Sequence, residues 1–152
     1  PADLEGLTAK QILYVGAHRY ALESATAVTL VAQMDQVRAT LPMATPAALF
    51  AMKLHAIEDR RSGGGLDKRA SDGWDLYRIL LDLDRSGAVR DELSSLPDPL
   101  RHVVADTTER ILIERAVRTI SWLKAGDERM ATITAAELQA LGTPVLAALR
   151  DN

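Results

Sequence analysis

Residues 45–83 read TPAALFAMKLHAIEDRRSGGGLDKRASDGWDLYRILLDL, and the fold turns on how this stretch divides. Thr45 is placed to cap a helix with its hydroxyl, and Pro46 stands at the first helical position, where a missing N–H costs nothing. The pattern predicts a helix to about Arg61. Ser62-Gly63-Gly64-Gly65 breaks it and reads as a hinge, and Ser71-Asp72 supplies oxygen acceptors to start a second helix that continues through Leu83. The expected unit is a helical hairpin.

Its charges fall on the wrong faces. At about 100° per residue, Leu49, Phe50, Leu54, Ala56 and Ile57 share one arc of the first helix, and Lys53 and Arg60 lie inside it, on one side and about 10 Å apart. In the second helix Leu76, Ile79, Leu80 and Leu83 form the apolar arc, Asp72 projects into it and Asp75 stands at its edge. A buried charge is expensive unless paired or facing a polar cleft, so inward cations on one helix and inward anions on the next point to a common site. The competing reading is structural: Asp72 caps its helix, and Lys53 and Arg60 bridge the hairpin as plain ion pairs. For Arg61, Lys68 and Arg69 the alternatives are an extension of an anion site and a solvated basic loop.

Outward from the hairpin the signals change. Ile12-Leu13-Tyr14-Val15 and Ala27 to Ala32 are β-favouring runs separated by Gly16, which predicts two short strands, too few for an independent sheet. They read as closing strands of a sheet whose other strands lie upstream of Pro1, and the opening at Pro1 without a Met reads more like an interior start than a natural N-terminus. Beyond the hairpin, Pro97-Asp98-Pro99 opens a long amphipathic helix carrying Leu100, Val103, Val104, Ile111, Val117 and Ile120, with Gly126 near its end. Thr134 and Glu137 form a capping box for one more helix, which Gly142-Thr143-Pro144 punctuates. Arg101, Arg110, Arg115 and Arg118 among Asp106, Glu109 and Glu114 read as a solvated face.

Composition narrows the chemistry. The 152 residues are 47% hydrophobic and 26% charged, the balance of a folded chain, and a formal charge of -3 provides no bulk positive field, so any nucleic-acid contact must be local. With no cysteine, disulfide scaffolds, thiolate zinc sites and cysteine nucleophiles are excluded, and a reducing, cytoplasmic setting is the default. No apolar run approaches the roughly 18 residues of a membrane span, so no membrane association is expected. His18, His55 and His102 are scattered without metal-ligand spacing, Gly63 to Lys68 lacks the P-loop order, and Trp74 and Trp122 read as packing groups.

Taken together, Lys53 and Arg60 seven residues apart, the basic Lys68-Arg69 pair and Asp72-Gly-Trp-Asp75-Leu76 resemble the C-terminal motifs of the AbiEii-type nucleotidyltransferase toxins, a branch of the polymerase-β-like superfamily. GAHRYALESATAVTL is similar to the strand region preceding those motifs, so the resemblance covers about the first 85 residues. It implies transfer of a nucleotide from a nucleoside triphosphate to an acceptor such as the 3′ end of tRNA, and control by a cognate antitoxin. It further implies catalytic positions at Lys53, Asp72 and Asp75, substrate-binding positions at Arg60, Lys68 and Arg69, and Mg²⁺ held by a Gly-Ser…Asp-x-Asp element. Asp3, Glu5, Glu23 and Asp35 are the acids before Lys53 and none has that spacing, so the Mg²⁺ ligands are expected outside this chain and the chain alone is expected to be inactive. The expected fold is α+β and mainly α: residues 1–41 closing the nucleotidyltransferase sheet, 42–85 the helical hairpin, 86–152 a helical subdomain. The alternative is a non-catalytic helical module that binds nucleotide, RNA or an antitoxin.

Overall fold

The computed structural model describes residues 4–32, 37–61 and 65–151. Among them are seven α-helices and one two-stranded antiparallel sheet, so the chain is α+β and mainly α. Ser62, Gly63 and Gly64 of the expected hinge, Pro1, and the acids Asp3 and Asp35 lie outside the described residues.

The first expected strand is a helix. Ile12 to Val15 lie within α1 (Ala9–Glu23), which opens on a capping box between Thr8 and Gln11. Leu13, Gly16, Ala17 and Ala21 recur at helical spacing and are buried, so tertiary burial overrides the local β preference. Gly16 lets α1 approach the Leu100 side chain closely: a Cβ there would meet Leu100 Cδ1 at 3.1 Å. The second run does form a strand. β1 (Thr26–Val31) pairs with β2 (Arg38–Met43), Thr26 opposite Met43 and Thr29 opposite Thr40, as a ribbon whose residues are almost all exposed.

Next, α2 (Pro46–Asp59) begins as its sequence predicts, with Thr45 accepting from the Ala48 N–H. Its buried face is Ala47, Phe50, Ala51, Leu54 and Ile57, while Leu49, Ala56, Lys53 and Arg60 stand on the flanks. α3 (Leu66–Arg78) starts earlier than Ser71-Asp72. Gly65, at φ +97°, takes the left-handed conformation that glycine adopts freely, and Asp67 follows in the first turn, where the helix dipole favours a carboxylate. Asp72 is therefore a mid-helix residue and caps nothing. The helix continues as a π-helical segment, Ile79–Leu83, whose wider turn leaves Leu83 exposed rather than in the apolar arc.

The remaining helices close the core: α4 (Ala88–Ser94), α5 (Asp98–Thr108), α6 (Ala116–Gly126) and α7 (Ala135–Arg150). The long amphipathic helix is broken. A π-helical segment at Glu109–Glu114 and a non-helical Arg115 shift the register between α5 and α6, so Val117 faces outward, while the Thr119 hydroxyl donates to the Ile111 carbonyl at the break. Arg101 is buried rather than solvated, paired with Asp98 and donating to the Leu149 carbonyl. α7 opens on the Thr134–Glu137 capping box and continues past Pro144, where the Thr143 hydroxyl donates to the Gln139 carbonyl. A single buried cluster draws on all seven helices.

One polar junction ties distant parts of that core. Glu92 on α4 accepts from the Tyr20 hydroxyl of α1 at 3.0 Å and from the Thr45 hydroxyl at the head of α2. Burial, then the hydrogen bond and charge of Glu92, push the Tyr20 phenol up to about 12 from its ordinary 10.0. A phenol whose pKa is raised by folding stabilises fully below 10.0, and that contribution is lost as pH climbs toward 12. Urea titrations across this window should show stability falling with pH in the native sequence and falling less in Tyr20→Phe.

Candidate functional site

The charges that the sequence places inward meet between α2 and α3. Lys53 Nζ lies 2.8 Å from Asp72 Oδ1 and 2.6 Å from Asp75 Oδ2, and the Arg60 guanidinium pairs with the other oxygen of Asp72. Asp72 is the buried member, with a side chain 11% exposed against 46% for Asp75. Two cations and two carboxylates therefore neutralise one another, and a single ammonium bridges both anions. Asp72 and Asp75 are three residues apart on α3, so one helical turn presents both to Lys53.

Lys53 and Asp75 also line a surface groove of about 290 Å³ with Leu49, Trp74, Arg78 and Asp82, whereas Asp72 and Arg60 stand outside its lining. The groove is amphipathic: Trp74 stacks on Tyr77 at 5.8 Å, and the Arg129 guanidinium lies 5.0 Å from the Trp74 ring.

These residues do not fit a Mg²⁺ site. The oxygens of Asp72 and the nearer oxygen of Asp75 are taken by Lys53 and Arg60, and among the described residues no three His, Asp or Glu side chains gather as metal ligands.

The remaining sequence-predicted residues separate. Lys68 is exposed on the first turns of α3 and is not among the residues lining either cavity described here. Arg69 faces a different cavity, with its guanidinium 4.1 Å from the Trp122 ring centroid. That cavity, of about 470 Å³, collects Lys10, Arg61, Arg69, Arg110, Arg115 and Arg118 around one carboxylate, Glu58. Glu58 accepts from Arg61 at 3.0 Å and pairs with Arg110 at 3.2 Å, while Lys10 pairs with Asp59 beside it at 2.7 Å. Burial foremost, with the charges of Arg61 and Arg118 adding, holds the Arg69 guanidinium below the ordinary arginine value. Trp122 is thus both a packing group and a platform for a cation. Of the arginines that read as a solvated face, Arg115 and Arg118 are exposed as expected, and with Arg110 they also line this concavity.

Sequence spacing also misses a third cluster. His18 and His55 are brought together by α1 and α2, with ring centroids 6.3 Å apart, and Tyr14 lies against both at 4.6 and 4.8 Å. Burial lowers the His55 pKa from its ordinary value. No helix among the described residues is long and apolar enough to cross a membrane. No family, no curated protein and no solved structure matches this chain.

Proposed function

We propose that this chain is the helical C-terminal portion of a cytoplasmic AbiEii-type nucleotidyltransferase, a toxin held in check by an antitoxin. It handles a nucleoside triphosphate destined for an acceptor such as tRNA. The observation that supports this reading is the quartet of Lys53, Arg60, Asp72 and Asp75, which gathers the resemblance's catalytic positions on one helix pair. Phosphoryl transfer is mostly positioning and charge stabilisation. In this reading Lys53 contacts the triphosphate, Asp72 and Asp75 fix its ammonium between them, and Arg60 holds Asp72 from behind. Arg69 and Lys68 extend the cationic surface from α3.

Lys53→Met tests it, because methionine keeps most of the stem packing and removes the charge. Calorimetric binding of ATP, GTP, CTP and UTP to the chain should show at least one triphosphate bound, weakened at least about tenfold by the substitution. Stability should change by no more than about 1 kcal/mol, since Asp72 keeps Arg60 and Asp75 is half solvated. Unchanged nucleotide affinity in Lys53→Met would defeat the reading. The second reading, a non-catalytic module for an anionic partner, is favoured by the cationic cavity.

A further inference from the structure

The two charged clusters differ in their bookkeeping. The quartet sets two cations against two carboxylates and carries no net charge. The cavity around Trp122 has six cationic side chains lining it and one carboxylate, and even with Asp59 drawing off Lys10 the excess remains. Like charges held together destabilise a fold, and a cleft with low-dielectric walls sharpens that field. Within it the buried Nε atoms of Arg69 and Arg110 have no hydrogen-bond partner among the described residues. A site that keeps such repulsion in a concave shape is suited to an anion of several charges.

The side chains specify the anion further. Five of the six cations are arginines, whose planar forks engage phosphate oxygens through paired N–H bonds. Arg115 and Arg118 stand one turn apart at the start of α6, with Arg110 before them. Arg61 at the end of α2 and Arg69 on α3 supply the other two. Glu58 bridges Arg61 and Arg110, and Arg69, Arg115 and Arg118 are spread along the rest of the cavity, an arrangement that suits a linear run of oxyanions better than one compact ion. Arg69 also covers a face of Trp122, so the contact asks for phosphates and not for a stacked base.

We propose that the cavity between α1, α2, α3 and α6 binds a run of linked phosphate groups, gripped by Arg61, Arg69, Arg110, Arg115 and Arg118. This rests on reading the chain as one that handles phosphates and adds a second place where it does so. Arg69 lies one turn before Asp72 on α3, and Arg61 directly follows Arg60, so the cavity and the quartet share both helices.

The test uses the whole chain and Arg115→Gln/Arg118→Gln, both exposed residues whose loss leaves the core intact. Sodium tripolyphosphate is titrated by calorimetry, and a short fluorescein-labelled single-stranded RNA by anisotropy. Binding of either supports the proposal, RNA alone identifying a nucleic-acid backbone and tripolyphosphate alone a free oligophosphate. The double variant should weaken that binding at least about tenfold and, for RNA, flatten the slope of log affinity against log salt by about 1.4, with a thermal melt no lower than that of the native chain. Absence of binding to both probes at low salt, unchanged affinity in the variant, or equal competition by oligoglutamate overturns it. Lys53→Met separates the two claims. Loss of nucleotide binding there, with the arginine variant normal for tripolyphosphate and RNA, leaves the quartet and removes the cavity. The opposite pattern leaves the cavity and removes the quartet.

Discussion

Gly126→Val is expected to lower stability by about 3 kcal/mol, at the upper end of what overpacking costs. Gly126 closes α6 where it crosses the start of α3, and a Cβ there would sit 2.6 Å from the Ala70 Cβ and 3.0 Å from the Leu66 carbonyl oxygen. Neither neighbour can swing away, one being a methyl on the helix and the other backbone, so the helices must part. Gly73, facing α6 from the middle of α3, is less constrained, since its Cβ would meet a terminal methyl of Leu123, the far end of a side chain that can turn. A glycine inside a helix ordinarily costs about 1 kcal/mol relative to alanine, and the close approach of α3 and α6 reverses that sign here. Urea unfolding at constant m-value measures the loss, and Ala70→Gly in the same chain should recover part of it. A midpoint equal to that of the native chain would mean that the two helices are not in contact at this crossing. Because Arg69 and Trp122 belong to these two helices, the substitution should also shift the indole fluorescence.

Phe50→Ala should cost roughly 3–5 kcal/mol, the range for deleting a fully buried aromatic ring. Phe50 is the only phenylalanine, it is fully buried, and its neighbours in the core are rigidly held helices that collapse poorly into a vacated space. Phe50→Leu keeps most of the volume and should cost under about 1.5 kcal/mol. Equal losses for the two would show that the site tolerates a cavity. Lys53 lies three residues further along α2, so the same ring also fixes the helix face from which the ammonium reaches Asp72 and Asp75.

Much of the hairpin is legible from sequence because its signals are local. The Thr45-Pro46 start, the burial of Phe50, Leu54 and Ile57, and the meeting of Lys53 with Asp72 all follow from short-range spacing. Two local signals mislead. Ile12 to Val15 prefer strand by themselves, yet the Thr8–Gln11 capping box and a stripe of small buried residues hold them in α1. Ser71 and Asp72 carry side chains suited to a cap, yet Gly65 starts the helix earlier and turns Asp72 into a partner for cations. Pro144 is a third case: a ring that ordinarily stops a helix is carried inside α7. The cationic cavity was beyond reach of spacing arguments, because Lys10, Arg69 and Arg118 come together only when α1, α3 and α6 do. The break at Arg115, which separates α5 from α6, rests on a π-helical widening without a simple sequence signature.

The junction at Glu92 bears on time as well as on stability. Its partners lie 47 and 72 residues away along the chain, so it cannot form until α1, α2 and α4 have already come together. Interactions completed after the folding transition state contribute little to the speed of reaching the native state and much to the delay in leaving it. Glu92→Gln is therefore expected to act like releasing a latch, speeding unfolding more than it slows folding, which stopped-flow unfolding and refolding rates would measure.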